Sequence, residues 1–252
     1  MSVTLWCHCN RYSGLLSDGS SDEEEVESYS GLLTVDPGTN GSLFFWFWPA
    51  QEQAATAPLL LWLQGGPGLS SVGLGALKLH GPLVLHVNKE KRQLLGLRRN
   101  QHTWAKKQNV IYIDFPVGTG QWILATVDIF SKSISGFSYS NKVGNGTKNT
   151  KQKNVTNGGS VSMDELTDNL YEFLQLWFKL FPEYKKNPFY AFGQSFGGQF
   201  VASIIRKIHD ENEAESAEFK WDLFLLVLFW WKLQLQDQHW RPGYRKWLHL
   251  PV

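Results

Sequence analysis

Residues 190–198 read Tyr-Ala-Phe-Gly-Gln-Ser-Phe-Gly-Gly, a short apolar strand that runs into the pattern G-x-S-x-G. This pattern is typical of a sharp strand-to-helix turn that lifts a serine hydroxyl above the edge of a sheet. Glycines at 193 and 197 suit such a turn, because a Cβ atom would collide where two backbones come close. Ser195 is therefore the candidate nucleophile.

Helical patterns lie on both sides of this turn. Between residues 163 and 181 apolar side chains recur at helical spacing, and Ser162 and Glu165 are spaced as a capping box. Residues 199–209 follow the pattern of a second helix. A strand, a turn and a helix in this order are the context that a catalytic G-x-S-x-G requires.

A second glycine-rich turn lies at residues 58–71, which read Pro-Leu-Leu-Leu-Trp-Leu-Gln-Gly-Gly-Pro-Gly-Leu-Ser-Ser. The apolar run predicts a buried strand, and the glycines predict a loop directly after it. Such a loop can aim backbone N–H groups at a developing oxyanion. A phosphate-binding loop and a plain turn are the alternatives, but no G-K-[ST] follows and no G-x-G-x-x-G fits, which argues against nucleotide binding.

A third element lies between these two. Residues 109–120 read Asn-Val-Ile-Tyr-Ile-Asp-Phe-Pro-Val-Gly-Thr-Gly, and their continuation Phe-Ser-Tyr-Ser occurs only at 137–140. Together the three elements resemble the serine carboxypeptidase family of α/β hydrolases, most closely its animal, vitellogenic-like members. The resemblance implies an α/β-hydrolase fold: a mostly parallel central sheet flanked by helices and entered by antiparallel strands.

The resemblance also implies a role for each motif residue. Ser195 is the acylating nucleophile, and the backbone N–H groups of Gly66 and Phe196 form the oxyanion hole. The terminal carboxylate of a peptide or protein substrate is read by three residues: Gln64, Gly65 and Gln194. No cofactor is implied, and no cluster of side chains has metal-ligand spacing.

Two positions and one segment depart from the family pattern. Gln194 takes the place of a glutamic acid, which must be protonated to donate a hydrogen bond; a carboxamide donates at any pH, so we expect acid preference to weaken. Leu69 stands where relatives have cysteine, so a disulfide near the site is not expected. Residues 121–136 interrupt the third element, and we interpret them as translated non-coding sequence that displaces one wall of the substrate pocket.

The acid and the histidine of a catalytic triad are expected after the nucleophile in an α/β hydrolase. The residues that satisfy this order formally are Asp210, Asp222, Asp237, His209, His239 and His249. The acid and histidine of the fold lie on loops after later strands, and the last 34 positions offer one strand, at 223–231. We therefore expect this chain to lack a working triad.

The domain organisation follows from these matches. Residues 1–27 are expected to form a polar, disordered leader, 28–218 a partial α/β-hydrolase domain without its C-terminal part, and 219–252 a tail unrelated to the family. The leading interpretation is a serine carboxypeptidase by family that is inactive as given. The alternative is a non-catalytic truncated homologue or a peptide-terminus-binding protein. A lipase or esterase is disfavoured, because an ester has no free terminus for the Gln64 loop to bind.

The composition limits the kinds of partner that this chain is expected to bind. The chain has 252 residues, 42% of them hydrophobic and 19% charged, which excludes general disorder. Its net charge of +1 gives no electrostatic reason to expect nucleic acid. The apolar run at 224–231 is too short to cross a bilayer, which takes roughly 20 residues. The composition makes no prediction about oligomeric state.

Signals for the cellular compartment disagree. The family implies a secreted or lysosomal protein, and three N-x-[ST] sequons fit a glycoprotein: Asn40, Asn145 and Asn154. Residues 1–19 contain no apolar h-region, so no signal peptide is visible. The two cysteines, Cys7 and Cys9, are too close for an ordinary disulfide.

Overall fold

The central feature of the computed structural model is a six-stranded sheet with helices on both faces. The structure describes residues 26–88, 90, 93–117, 119, 137–138, 162–213 and 223–225. The strands are β1 (Tyr29–Asp36), β2 (Gly41–Trp48), β3 (Leu59–Leu63), β4 (Leu83–Asn88), β5 (Gln93–Arg99), β6 (Asn109–Asp114), β7 (Phe189–Gly193) and β8 (Leu223–Leu225).

The order of the strands in the large sheet is β1-β2-β6-β3-β7-β8, while β4 and β5 form a separate antiparallel pair. Strands β6, β3, β7 and β8 run parallel to one another, and β1 and β2 join antiparallel at one edge. This arrangement confirms the predicted α/β fold, in which antiparallel strands lead into a parallel sheet.

In the part of the chain that the structure describes, three long helices cover the sheet: α1 (Ser71–His80), wound as a π-helix, α2 (Met163–Leu180) and α3 (Gly197–Glu213). Helix α2 begins where the capping pattern predicts, because the Ser162 hydroxyl accepts a hydrogen bond of 3.1 Å from the Glu165 N–H. That bond satisfies one of the N–H groups left unpaired at a helix start.

Strand β3 shows how the core is divided. Successive side chains of a strand point to opposite faces, so Leu59, Leu61 and Leu63 pack with α2 and α3 in one buried cluster. Leu60 and Trp62 pack with α1 in the other. A strand buried on both faces reads as a continuous apolar run, which is why residues 59–63 contain no polar side chain.

The predicted elements near the serine lie close to their expected places. The helix expected over 163–181 is α2, and the helix expected over 199–209 is the longer α3. Within the strand expected at 223–231, only Leu223–Leu225 is described, as β8 parallel to β7. Predictions for residues 1–25, the insertion 121–136 and the rest of the tail fall outside the described residues.

Candidate active site

The tight turn at residues 193–197, here called the serine turn, joins β7 to α3. Ser195 lies at its apex with φ of +55°, in the left-handed region that side-chain-bearing residues rarely adopt, and its side chain is exposed. Two backbone bonds close the turn, from the Gly197 N–H to the Gln194 carbonyl at 2.9 Å and from the Gly198 N–H to the Ser195 carbonyl at 3.0 Å. The backbone is thus held in a costly conformation at the residue predicted to react.

Close backbone contacts explain the two glycines of the serine turn. A Cβ at Gly193 would lie 2.3 Å from the backbone of Gly197, and one at Gly197 would lie 2.3 Å from the Leu63 carbonyl oxygen. Both distances are shorter than any real carbon contact, and the obstructing atoms are backbone. The turn therefore requires glycine at both positions.

The loop at residues 64–69, here called the glycine loop, packs directly on the serine turn. A Cβ at Gly65 would lie 2.5 Å from the Gln194 carbonyl oxygen and 2.9 Å from the Phe196 nitrogen. The next residue, Gly66, has φ of +117°. Among the hydrogen bonds of the described residues, none uses the N–H of Gly66 or Phe196, so both donors predicted for the oxyanion hole are unpaired.

A chain of side-chain hydrogen bonds links three residues at this point. The Trp62 indole Nε1–H donates to Gln64 Oε1 at 3.2 Å, and Gln64 Nε2–H donates to Gln194 Oε1. An indole is a donor only, so Gln64 must turn its oxygen toward Trp62 and its nitrogen toward Gln194. Gln194 Nε2 has no partner among the described residues, and its two N–H bonds are left to bind an acceptor.

Gln64 is also fixed through its backbone. Its N–H donates to the Ser71 hydroxyl at 2.9 Å, and the residue is only 5% exposed. The structure therefore brings together the glutamines that the resemblance assigns to carboxylate binding, although they are 130 positions apart in the sequence.

One buried acid behind the glycine loop was not predicted from the sequence. Asp114 ends β6, is fully buried and accepts hydrogen bonds from Ser70, Val72 and Phe137. Burial raises the pKa of the Asp114 carboxyl to about 6, against the lowering effect of these hydrogen bonds. The sequence held a signal, because Asp114 directly follows the apolar run at residues 110–113, and a carboxylate beside a buried run is seldom buried unless it is paired.

A buried histidine lies under the other face of the sheet. His80 stacks on Trp104 with ring centres 3.8 Å apart, and its Nδ1 is 2.8 Å from the Tyr112 hydroxyl. Burial lowers the pKa of His80 to about 4. This packing places His80 in the core beneath Trp62, with ring centres 4.3 Å apart.

The candidate acid and histidine on α3 do not reach the nucleophile. His209 follows Ser195 by 14 positions, almost all in α3, which separates them by roughly 20 Å along the helix. Asp210 is exposed and pairs instead with Arg206 at 3.5 Å. The other formal candidates are outside the described residues: Asp222, Asp237, His239 and His249.

One of the three predicted glycosylation positions lies within the described residues, at the surface. Asn40 is exposed in the β1–β2 turn with φ of +52°, while Asn145 and Asn154 lie outside the described residues.

In the part of the chain that the structure describes, no three His, Cys, Asp or Glu side chains are grouped to hold a metal ion. None of the helices seen there has the length and apolar character needed to cross a membrane.

Comparisons with known proteins give the geometry a family context. A family profile described as "Serine carboxypeptidase" matches residues 19–224. The chain is 36% identical over 210 residues to "Vitellogenic carboxypeptidase" of Aedes aegypti, covering 79% of this chain and 37% of that protein. It is 35% identical over 189 residues to "Venom serine carboxypeptidase" of Apis mellifera, covering 75% of this chain and 33% of that protein.

A solved structure has a similar fold. The crystal structure of Kex1(delta)p, a prohormone-processing carboxypeptidase from Saccharomyces cerevisiae, superposes with a TM-score of 0.58 at 23% sequence identity. The match covers 80% of this chain and 38% of that one. The chain thus spans about a third of the length of the proteins that it matches.

Proposed function

This chain belongs to the serine carboxypeptidase family, and from that premise we propose that it acts on the carboxyl ends of peptides or proteins with Ser195 as nucleophile. The observation that carries the proposal is the contact between the glycine loop and the serine turn. Gly65 lies against Ser195 and Phe196, so an exposed hydroxyl, two unpaired N–H groups and the Gln64–Gln194 pair share one small region.

In the proposed reaction, Ser195 Oγ attacks the carbonyl carbon of the last peptide bond, and its proton passes to a general base. The charge on the carbonyl oxygen is stabilised by the N–H groups of Gly66 and Phe196, the second of which lies just before the positive end of the α3 dipole. The C–N bond then breaks, the amine leaves with the proton of the base, and water hydrolyses the ester. Neither His209 nor Asp210 lies near enough to Ser195 to act as that base or its orienting acid, so the proposal assigns no residue to these two roles.

Substrate recognition is assigned to the glutamine pair. The donor-only Trp62 indole orients Gln64, and Gln64 in turn orients Gln194 so that N–H bonds point away from the pair. A group that presents donors suits the two oxygens of a terminal carboxylate. Because no group in this pair titrates, the proposed recognition does not depend on protonation of the pair.

A second candidate is a non-catalytic protein that binds peptide termini. The observation that favours it is that Gln64 and Gln194 are paired within the described residues, whereas His209 and Asp210 lie near the far end of α3 from Ser195. This candidate keeps the recognition and omits the covalent step.

Labelling with a fluorophosphonate tests the catalytic proposal. The purified chain is treated beside Ser195→Ala, and mass spectrometry locates the adduct. Labelling at Ser195 that the variant loses supports an activated nucleophile. No labelling in a sample shown to be folded by circular dichroism overturns catalysis and leaves the binding candidate.

Peptide binding separates recognition from chemistry. Ser195→Ala is titrated with a labelled peptide that has a free carboxyl terminus and with its C-terminal amide. We expect the free acid to bind about tenfold more tightly, because the amide offers one acceptor oxygen in place of two. Equal affinities would contradict the role of Gln64 and Gln194.

The proposal also includes the extent of the domain, its cellular location and the glycosylation of Asn40. Residues 28–218 form the carboxypeptidase-like part, and a secreted or lysosomal location fits glycosylation at the exposed Asn40. The sequon serine of this site, Ser42, is buried and lies 3.2 Å from the Thr34 hydroxyl, so a glycan would be added before β2 packs. Expression of Asn40→Gln in a secreting cell, with glycosidase treatment of both forms, checks this assignment.

A further inference from the structure

Asp114 is a buried carboxylate that the proposed reaction does not use. It ends β6 after four apolar residues, and its side chain has no exposed surface. Burying an ionised carboxylate is costly unless hydrogen bonds replace the lost water. Its hydrogen-bond partners therefore show what this residue holds in place.

The two carboxylate oxygens of Asp114 bind different segments. Oδ1 accepts from the Ser70 hydroxyl at 2.8 Å and from the Val72 N–H at 3.1 Å, at the start of α1. Oδ2 accepts from the Phe137 N–H at 3.0 Å, on the far side of the insertion. One side chain thus joins the end of the glycine loop to the point where the chain returns to the sheet.

The bonds at Oδ1 extend to the candidate active site. Ser70 and Val72 flank Ser71, whose hydroxyl accepts the backbone N–H of Gln64. Gln64 precedes Gly65, which contacts the serine turn. Fixing the start of α1 therefore fixes the segment that carries the candidate oxyanion donor and the candidate carboxylate-binding amide.

The bond at Oδ2 fixes the other side of the site. Phe137 is followed by Ser138, whose hydroxyl accepts the Phe44 N–H at 2.8 Å and donates to the Asp114 backbone oxygen. The ring of Phe137 is 56% exposed and lies 4.8 Å from the Phe44 ring, measured between ring centres. An exposed aromatic ring is thus held at the carboxyl end of the sheet, the edge from which the glycine loop also leaves.

We propose that Asp114 is a positioning residue that couples the glycine loop to the segment at Phe137, one carboxylate oxygen for each. Its effect on catalysis rests on the proposed function, whereas its effect on the two segments does not. We call the bonds at Oδ1 and those at Oδ2 the two arms of Asp114. An acid is needed here because the partners on both arms are donors, and only a carboxylate accepts hydrogen bonds at both of its terminal atoms.

The variants Asp114→Asn and Asp114→Ala separate the two arms. In the asparagine variant the amide oxygen satisfies Ser70 and Val72, while the amide nitrogen faces the Phe137 N–H, donor against donor. The flipped amide would satisfy fewer donors, so the first orientation is favoured. Alanine removes both arms.

Hydrogen exchange followed by mass spectrometry measures each arm. We expect Asp114→Asn to speed exchange about tenfold or more in peptides containing residues 137–138, with residues 64–72 unchanged, since a hydrogen bond to a charged group is lost on one arm only. Asp114→Ala should speed exchange in both. Two results would overturn the proposal: unchanged exchange at 137–138 in Asp114→Asn, or a uniform increase throughout the chain.

Asn109 provides a matched control at the opposite end of β6. It is equally buried and makes three side-chain bonds, each of 2.9 Å, to Ala50, Ala54 and Ala57. Asn109→Ala should speed exchange near residues 50–57 and leave 64–72 and 137–138 unchanged. The same increase at the site in this control would make Asp114 an ordinary packing residue.

The catalytic consequence is measured on the same samples. If the unaltered chain is labelled at Ser195 by a fluorophosphonate, Asp114→Ala should lower the labelling rate about tenfold and Asn109→Ala should not. An unchanged labelling rate would refute the positioning role. If the unaltered chain is not labelled, the proposed function fails, and the exchange pattern alone decides whether Asp114 couples the two segments.

Discussion

At the scale of single residues, Gly65 packs the glycine loop directly against the serine turn. Replacement by alanine would place a carbon 2.5 Å from a backbone oxygen, so the loop or the serine turn must move. We expect Gly65→Ala to cost about 1–3 kcal/mol of unfolding free energy and to lower peptide binding and any Ser195 labelling.

Gly38→Ala is the control for this change. Its new carbon would meet only the Asp36 carboxylate at 3.3 Å, in the exposed β1–β2 turn, so we expect less than about 0.5 kcal/mol and no effect on binding. Urea unfolding and peptide titration measure both variants. Equal effects from the two glycines would show that the packing of Gly65 on the serine turn does not matter.

Gln194 determines how pH affects recognition. A carboxamide donates at any pH, so binding of a peptide carboxylate by Ser195→Ala should be level from pH 5 to 8. Adding Gln194→Glu places a carboxyl group opposite the substrate carboxylate, and binding should weaken about tenfold or more as that group ionises with rising pH. Fluorescence anisotropy of a labelled peptide measures the two profiles, and parallel profiles would contradict the assignment.

At the scale of elements, the start of α2 depends on one hydroxyl. Ser162→Ala removes the bond to the Glu165 N–H and should destabilise the protein by about 1 kcal/mol. The same change at Ser203, inside α3, removes no cap and should be neutral or slightly stabilising, because alanine favours a helix interior. Chemical denaturation compares them; a smaller loss at Ser162 than at Ser203 would mean that the cap does not stabilise α2.

Elements with a strong local pattern could be predicted from the sequence. Helix α2 shows helical spacing of its apolar residues and a cap, and β3 is an uninterrupted apolar run bounded by proline and glycine. Helix α1 gave no such signal, since Gly73 and Gly75 lie inside it. The structure explains Gly75, because a Cβ there would lie 2.6 Å from Trp62 Nε1, so packing against the sheet outweighs helix propensity.

Long-range contacts in the site were beyond local sequence patterns. The Gln64–Gln194 bond and the Asp114 bonds join residues 23 to 130 positions apart, and no periodicity encodes them. The family resemblance supplied the first contact, because it assigned both glutamines to one ligand group. It did not supply the second, because a carboxylate at a strand end has many uses and only the fold shows which donors surround it.

At the scale of the whole molecule, two buried titratable groups affect stability in opposite directions. His80 has a pKa of about 4, below its ordinary 6.5, so unfolding takes up protons and the fold loses stability as pH falls from 6.5 to 4. Asp114 has a pKa of about 6, above its ordinary 3.8, so the folded form takes up the proton first. Its burial penalty is present above pH 6 and disappears below 3.8, which adds stability on acidification.

These signs predict that removing either group changes the slope of stability against pH in opposite directions. Between pH 7 and 4, His80 should lower the free energy of unfolding by about 3 kcal/mol and Asp114 should raise it by about 2 kcal/mol, so the two effects largely cancel. Asp114→Asn should therefore lose about 2 kcal/mol more than the unaltered protein over this range. His80→Gln, which keeps a partner for the Tyr112 hydroxyl, should lose about 3 kcal/mol less unfolding free energy than the unaltered protein.

Urea unfolding at pH 7 and pH 4 gives both differences. Any fixed cost of each substitution cancels, because only the change with pH is compared. If the unfolding free energy changes equally with pH in all three proteins, neither His80 nor Asp114 is buried away from water as the packing on the two faces of the sheet requires.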